Sequence, residues 1–248
     1  MPDFDEQWKK VMGKEYFENN TDQFGLTKKN IEKFKKLTGM DNSNSHNSLS
    51  KKICLDVGCG IGRWTYAMQQ LDSKRVDSFD ISPEAVKLCK KINPNAHVFN
   101  ISNLTINPNY DFVFSFGVLH HNKDPRKSFS KIASQVKKGG KLHIMVYDKK
   151  FDSDYDGYRG KTCIKKNEEW IKLSFEEKIE ICKNKVKTMG GGIHFWFDAL
   201  NPKYNWSFEP NEIKKWFEEE GFIQIKLRTK TIDNSIPTSQ VNMNGILK

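Results

Sequence analysis

The chain has 248 residues, enough for one large α/β domain with an inserted segment. Its formal net charge is +10, but only five of its 41 basic residues are arginine. Arginine is the residue that clamps phosphates and reads bases with two hydrogen bonds, so the charge favours a solvated lysine surface over a nucleic-acid site. The five cysteines lack paired metal spacing, and neither a signal peptide nor an apolar run of membrane length is evident. These features predict a reduced, cytoplasmic protein without a metal or a membrane contact.

The first 50 residues are predicted to form a helical cap and a linker, followed by one domain over residues 51–248. Apolar residues recur at helical spacing over Phe4 to Asn19 and again over Thr27 to Leu37. Asp41 to Ser50 is polar and rich in turn-forming residues.

The domain begins with KICLDVGCGIGRW, Lys52 to Trp64, an apolar strand that leads into a glycine-rich turn and a helix. Glycines at such a junction let the backbone approach a ligand, and the free N–H groups of the helix start point at it. The next strand ends in Asp80, twenty residues after Gly60. An acid at that spacing is typical of a site that holds the ribose hydroxyls of a nucleoside.

Strands and helices alternate along the rest of the chain. Further strands are predicted near residues 96–99, 112–116 and 142–147, with a helix that starts at Asp124 and ends at Gly139 and Gly140. Residues 148–206 form a predicted lid insertion, whose helix from Ser174 to Lys187 begins with a Ser174–Glu177 capping box. A helix from Pro210 and strands at 222–228 and 241–248 follow. The pattern predicts a doubly wound, mostly parallel sheet of about seven strands with an antiparallel last strand.

The motifs resemble those of the class I S-adenosylmethionine-dependent methyltransferases, which have a Rossmann-like fold. LDVGCGIG is similar to the first motif of that family and FDIS, around Asp80, to the second. YDFVFSFGVLHH (Tyr110 to His121) and KKGGKLHIMVY (Lys137 to Tyr147) are similar to its fourth and fifth strands. The resemblance implies S-adenosylmethionine as cofactor and S-adenosylhomocysteine as product. One departure is Asn100, where the family often has an acid facing the adenine amine, although an amide oxygen can also accept from that amine.

The resemblance assigns a set of residues to the cofactor site: Asp56, Gly58, Cys59, Gly60, Gly62, Arg63, Asp80, Ile81, Asn100, Ile101, Ser102, Phe116 and Gly117.

Methyl transfer from a sulfonium mainly requires alignment, and a hydroxyl acceptor usually also needs a general base. The candidate catalytic residues are His120, His121 and His194. The resemblance places the first two beside the transferred methyl, but one of them could instead pack or cap the loop that precedes Asp124. His143, inside strand five, is interpreted as a core residue.

Gly190 to Trp206 combines glycines, aromatics and ionisable residues without a clear period, which predicts a functional loop. Its aromatics could line an acceptor pocket or only fasten the insertion to the sheet. The candidate substrate residues are Tyr16, Phe17, His194, Asp198, Tyr204 and Trp206. We predict a small polar acceptor, such as a sugar or natural-product intermediate. The alternatives are a tRNA-modifying methyltransferase and a non-catalytic binding module with the same fold, and the oligomeric state stays open.

Overall fold

The computed structural model describes residues 25–41, 48–105, 109–151, 170, 172–189, 192–202, 204–228 and 240–248. The predicted helix from Phe4 to Asn19, including Tyr16 and Phe17, lies outside this part of the chain. The helices are α1 Lys28–Thr38, α2 Arg63–Gln70, α3 Pro83–Cys89, α4 Pro125–Ala133, α5 Phe175–Met189, α6 Ile193–Leu200 and α7 Pro210–Glu219. The strands are β1 Ile53–Val57, β2 Arg75–Asp80, β3 Ala96–Val98, β4 Tyr110–Phe116, β5 Val136–Asp148, β6 Ser207–Phe208, β7 Phe222–Leu227 and β8 Gln240–Leu247.

The described strands form one sheet in the order β3-β2-β1-β4-β5-β8-β7, with the two-residue β6 paired to the end of β5. All strands are parallel except β8, which runs antiparallel to both β5 and β7. The predicted fold is therefore confirmed. The strand order reverses between β1 and β4, and open α/β sheets bind their ligands at the carboxyl ends of the strands at such a point.

Helices cover both faces of the sheet because the central strands are apolar on both sides. On one face, Phe34 and Leu37 of α1 pack with Trp64 of α2 against Phe112 and Phe114 of β4. On the other face, the buried residues of α4 and α7 pack against β1, β5 and β8. The helix predicted at Thr27 to Leu37 thus packs on the sheet.

One predicted helix end is wrong. The helix that starts at Asp124 ends at Ala133, and Gly139 and Gly140 lie inside β5 instead of ending the helix. Tyr110 of β4 pairs with Val136 and Phe112 pairs with Lys141, so β5 carries a bulge between these pairs. The glycines belong to this bulge, which local sequence reasoning mistook for a C-cap.

The insertion has a hydrophobic core of its own. The predicted capping box of α5 is present, since Ser174 N–H donates to Glu177 Oε2 at 2.7 Å and Glu177 N–H to Ser174 Oγ at 3.2 Å. The expectation of a loop over Gly190 to Trp206 is wrong, because Ile193–Leu200 forms α6. This helix packs Trp196 and Phe197 against α5, and this burial stabilises a helix of only eight residues.

Candidate active site

The glycine-rich loop between β1 and α2 is tied to the end of β2 by backbone hydrogen bonds. The N–H groups of Gly58 and Cys59 donate to the Phe79 carbonyl at 2.7 and 3.0 Å. Gly60 N–H donates to Asp80 Oδ2 at 2.8 Å, and Ser82 N–H donates to Asp80 Oδ1 at 2.9 Å. Burial raises the pKa of the Asp80 carboxyl, and these N–H groups oppose that rise. The Asp80 side chain therefore holds the glycine-rich loop in place through its hydrogen bond from Gly60.

Two glycines of the loop are needed for different reasons. Gly58 has φ +77°, and a Cβ atom there would lie 2.0 Å from Val118 Cγ2, in the loop after β4. Gly60 has φ +54° and no atom within 4 Å of the position of a Cβ. Close packing therefore requires glycine at 58, whereas the space beside Gly60 is open to a ligand.

A buried chain of hydrogen bonds lies beneath the loop. Asn93 Nδ2 donates to Ser78 Oγ at 2.9 Å, Ser78 and Thr65 hydroxyl oxygens are 2.9 Å apart, and Thr65 donates to Asp56 Oδ2 at 2.7 Å. Asp56 Oδ1 is buried and accepts no hydrogen bond from the described residues. Burial raises the pKa of Asp56 to about 7. A buried acceptor atom left open in this way fits a ligand that brings a donor or a positive charge.

The residues on the far side of Asp80 offer an apolar surface and an amide. The side chain of Ile81 is 48% exposed, which is unusual for isoleucine, whereas Ile101 is buried. Asn100 Oδ1 accepts from Ser102 N–H at 2.8 Å and so caps the short turn Ile101–Asn103. Its oxygen keeps a second lone pair, so the capping role is compatible with a further donor.

Arg63, Phe116 and Gly117 lie at the carboxyl edge between β1 and β4. The Arg63 guanidinium lies 3.8 Å from the centre of the Trp64 ring and 5.7 Å from that of Phe116. Gly117 adopts φ +81° and its N–H donates to the Met145 carbonyl at 3.3 Å, which turns the chain away from the sheet towards His120.

The two neighbouring histidines have different surroundings. His120 is fully buried, and its ring stacks on Tyr147 at 3.8 Å between centroids. His121 is partly exposed and meets the His120 ring edge-on at 4.1 Å. Its Nδ1 donates to the Tyr204 carbonyl oxygen at 3.2 Å. A neutral ring with its proton on Nδ1 keeps the Nε2 lone pair for accepting a proton.

Residues 204–206, at the end of the insertion, are fastened to the loop that carries these histidines. Trp206 N–H donates to the His120 carbonyl at 2.9 Å, and its indole Nε1 donates to the Asn122 carbonyl at 3.0 Å. With the bond from His121 to Tyr204, three hydrogen bonds join the two segments. We call this connection the clasp; it consists of residues 120–122 and 204–206.

The structure brings some predicted site residues together and leaves others apart. His194 and Asp198 lie on α6, where their side chains are not among the described ones. His143 is fully buried in β5, and burial lowers its pKa to about 3. Sequence reasoning missed Thr65, Tyr147 and Asn122. Only the position of Tyr147 at the carboxyl end of β5 could have drawn attention to it.

Comparison with known proteins decides the family. The model of the family described as "Methyltransferase domain" matches residues 28–226, most of the chain and all of the site described above. The chain belongs to this family. It is an S-adenosylmethionine-dependent methyltransferase of the Rossmann-like class, and an enzyme of this kind needs a site such as the glycine loop with Asp80.

Among curated proteins, the methyltransferase is similar to a tRNA U34 carboxymethyltransferase of Shewanella sp. (strain ANA-3), with 34% identity over 102 residues. That match covers 38% of this chain and 31% of the Shewanella protein, so the chain spans about a third of the length of the relative.

Solved structures share the fold at low sequence identity. Magnesium protoporphyrin IX methyltransferase from Synechocystis PCC 6803 with bound S-adenosylhomocysteine has a TM-score of 0.57 at 13% identity, with 99% of this chain and 100% of that chain covered. A Burkholderia thailandensis 1,6-didemethyltoxoflavin-N1-methyltransferase has a TM-score of 0.54 at 13% identity, with 98% and 88% covered.

The described residues contain no group of three or more histidine, cysteine, aspartate or glutamate residues placed to hold a metal ion. None of the helices described combines the length and the apolar composition needed to cross a bilayer.

Proposed function

We propose that the methyltransferase transfers a methyl group to a hydroxyl or amine of a small polar molecule, such as a sugar or a natural-product intermediate. The observation that carries this proposal is the clasp, which joins residues 204–206 to the loop after β4 at the carboxyl edge of the sheet. A polymer needs an open approach to that edge, whereas a small molecule fits beneath a covering segment. The solved methyltransferase named for didemethyltoxoflavin supports a small acceptor by analogy of fold.

The cofactor site that we propose uses the two buried carboxylates. Asp80 would accept from the ribose hydroxyls of S-adenosylmethionine, the open oxygen of Asp56 would face its ammonium group, and Ile81 would pack on its adenine. When bound, the cofactor supplies an electrophilic methyl group. The residues of the loop exclude water, and Gly60 leaves the space that the cofactor occupies.

His121 is the general base in this proposal, and His120 is a positioning residue. The Tyr204 carbonyl holds Nδ1 of His121 as the protonated nitrogen, which directs the basic lone pair to Nε2. His120 is buried against Tyr147 and supports the His121 ring from the side. His194, Asp198 and Tyr204 stay candidate acceptor contacts, as do Tyr16 and Phe17.

The cofactor part is tested by replacing Asp80. We expect Asp80→Ala to weaken S-adenosylmethionine binding by roughly 1.5 to 3 kcal/mol, because its charge-assisted hydrogen bonds are lost in a buried site. Asp80→Asn keeps an oxygen that can accept from Gly60 or Ser82 and should lose less. Calorimetry on the folded variants checks both values. Unchanged affinity in Asp80→Ala would remove this acid from the cofactor site.

A tRNA is the second candidate acceptor, and two observations favour it. The curated relative with 34% identity is named a tRNA U34 carboxymethyltransferase, and the net charge of this chain is +10. Phosphate contacts would make binding depend steeply on salt, with a loss of about a thousandfold between roughly 50 and 200 mM. We expect bulk tRNA to show no binding of that strength. Tight, salt-sensitive binding in a filter or fluorescence assay would make tRNA the better candidate.

The cytoplasmic location stays a prediction.

A further inference from the structure

A second pocket lies at the opposite edge of the sheet, near the amino ends of β1 and β4. It encloses about 250 Å³ on the face covered by α1. Three lysines contribute to its lining: Lys52 just before β1, Lys141 on β5 and Lys226 on β7. None of the residues assigned to methyl transfer takes part in this lining. The pocket therefore needs an explanation of its own.

The pocket collects positive charge without an equal number of acids. Its one acidic lining residue is Asp111, whose carboxylate pairs with Lys137 and accepts from Ile53 N–H at 2.9 Å. Within the described part of the chain, none of the three lining lysines forms an ion pair with a carboxylate. An assembly of like charges of this kind costs free energy unless an anion is present.

Lys141 shows this cost most clearly. Its Nζ donates to the Thr38 carbonyl at the end of α1, at 2.7 Å, which satisfies one of three donors. Burial, together with smaller contributions from the charges of Arg228, Lys52 and Lys226, lowers its pKa to about 8. An anion in the pocket would favour the charged form of this ammonium group.

The bulge in β7 points two side chains towards the pocket. Ile223 pairs with Ile246 and Lys226 pairs with Asn244, so Gln224 and Ile225 both stand opposite Gly245. Phe222 and Ile225 pack on the same core although they are three residues apart, which sends Gln224 and Lys226 to the other face. Gln224 adopts φ +51°, a conformation that costs about 1 kcal/mol for a residue with a side chain.

The second bulge borders the same pocket. Gly139, with φ +77°, lies in the irregular part of β5 and contributes to the pocket wall. Two departures from regular sheet geometry thus meet at one basic cavity. Bulges and strained residues of this kind recur next to ligand sites, where they redirect side chains.

We propose that this pocket, which Lys52, Lys141, Lys226 and Gln224 line together with apolar residues such as Phe112 and Ile246, binds a small multivalent anion of the phosphate-ester or pyrophosphate class. Ammonium and amide groups donate hydrogen bonds to phosphate oxygens, and three ammonium groups match an anion with several charges. The volume of the cavity suits a small molecule. The site is independent of the proposed acceptor and of the cofactor loop.

The test uses the full chain and inorganic pyrophosphate, titrated by calorimetry at constant ionic strength. We expect saturable binding that weakens about tenfold or more in both Lys141→Met and Lys226→Gln, because each removes a charged hydrogen-bond donor. Lys87→Gln is the matched control, since it removes one exposed positive charge from α3, away from the pocket. The control should bind as the wild type does. Affinity for S-adenosylmethionine should stay unchanged in all three variants.

Several results would overturn the proposal. They are an absence of saturable pyrophosphate binding to the wild type, an equal loss in Lys87→Gln, and binding of bulk tRNA but not of pyrophosphate through the same lysines. The last result would identify the face as a surface for a polymer. If Lys141→Met does not fold, the exposed residue Lys226 still decides the question.

Discussion

On the side of the active site that we propose for the cofactor, the contacts that shape the glycine loop join residues close together in the chain, whereas on the proposed acceptor side the contacts join distant residues. Thr65 and Asp56 are 9 positions apart, and Gly60 and Asp80 are 20 apart. His121 and Tyr204 are 83 apart, and Trp206 and Asn122 are 84 apart. The glycine loop therefore depends on contacts among β1, α2 and β2, whereas the clasp depends on contacts that close a much longer stretch of chain.

This difference separates the two tasks of the enzyme. A cofactor that is common to a family can be held by one local unit, here the segment from β1 to β2. An acceptor that differs between enzymes can be accommodated by changing a distant segment without disturbing that unit. Variants on the two sides should accordingly fail in different ways.

The largest effect is expected on the cofactor side, from Gly58→Ala. The new Cβ would lie 2.0 Å from Val118 Cγ2, and residue 58 would have to keep the unfavourable φ of +77°. Together these effects should lower the free energy of unfolding by about 3 kcal/mol or more. Gly60→Ala is the matched variant, with nothing within 4 Å, and should cost only about 1 kcal/mol. It should nevertheless weaken S-adenosylmethionine binding. Denaturant unfolding and calorimetry measure the two quantities.

Adding Val118→Ala to Gly58→Ala should restore part of the lost stability, because it removes the methyl group that the new Cβ would meet. If Gly58→Ala and Gly60→Ala destabilise the protein equally, backbone conformation alone accounts for both glycines.

On the acceptor side, His121→Gln should lower turnover by about a hundredfold or more if His121 is the general base, as we propose. Affinity for S-adenosylmethionine should stay within about twofold of the wild type, and the pH–rate profile should lose the limb that the base produces. His97→Gln, on the exposed outer strand β3, is the control and should leave turnover unchanged. A loss of cofactor affinity equal to the loss of turnover would place His121 on the cofactor side instead.

Asp56 gives a pH dependence of stability on the cofactor side. The pKa of Asp56 in the folded protein is about 7, above the ordinary value of 3.8. Between pH 3.8 and 7, the carboxyl group therefore keeps its proton in the native state but has lost it in the unfolded state. Stability from this group is therefore lost as the pH rises towards and through 7.

Asp56→Asn removes this dependence because it is neutral at every pH. Relative to the wild type, the variant should gain roughly 2 kcal/mol between about pH 5 and 8 in the absence of cofactor. Thermal unfolding at both pH values measures the gain. If the stability of the two proteins changes with pH in the same way, burial does not raise the pKa of Asp56.

The smallest effect concerns the clasp. Trp206→Phe loses the indole donor to the Asn122 carbonyl and should cost about 1 kcal/mol of stability, with a rise of a few fold in KM for the acceptor. Trp170→Phe is the matched control, because its indole donates to Asn201 Oδ1 at 2.9 Å within the core of the insertion. It should lose similar stability with no change in KM. If Trp206→Phe and Trp170→Phe change KM equally, the insertion acts as one unit and the clasp has no separate role in acceptor binding.

The sequence by itself determined what depends on neighbouring residues. The strand and glycine turn before Trp64, the spacing from Gly60 to Asp80 and the Ser174 capping box were all predictable, because periodicity, turn chemistry and caps act over a few residues. The order of these motifs was also enough to predict the fold class.

Only the tertiary structure decided the features that depend on packing. Ile193–Leu200 forms a helix because α5 buries its apolar surface, whereas a segment of eight residues is too short to form a stable helix by itself. Gly139 and Gly140 belong to a bulge because β5 extends back to pair with Tyr110. Burial against Tyr147 distinguishes His120 from His121, and three lysines from separate parts of the chain meet in one pocket. Each of these outcomes depends on contacts between residues far apart in the chain, whose energies no local pattern contains.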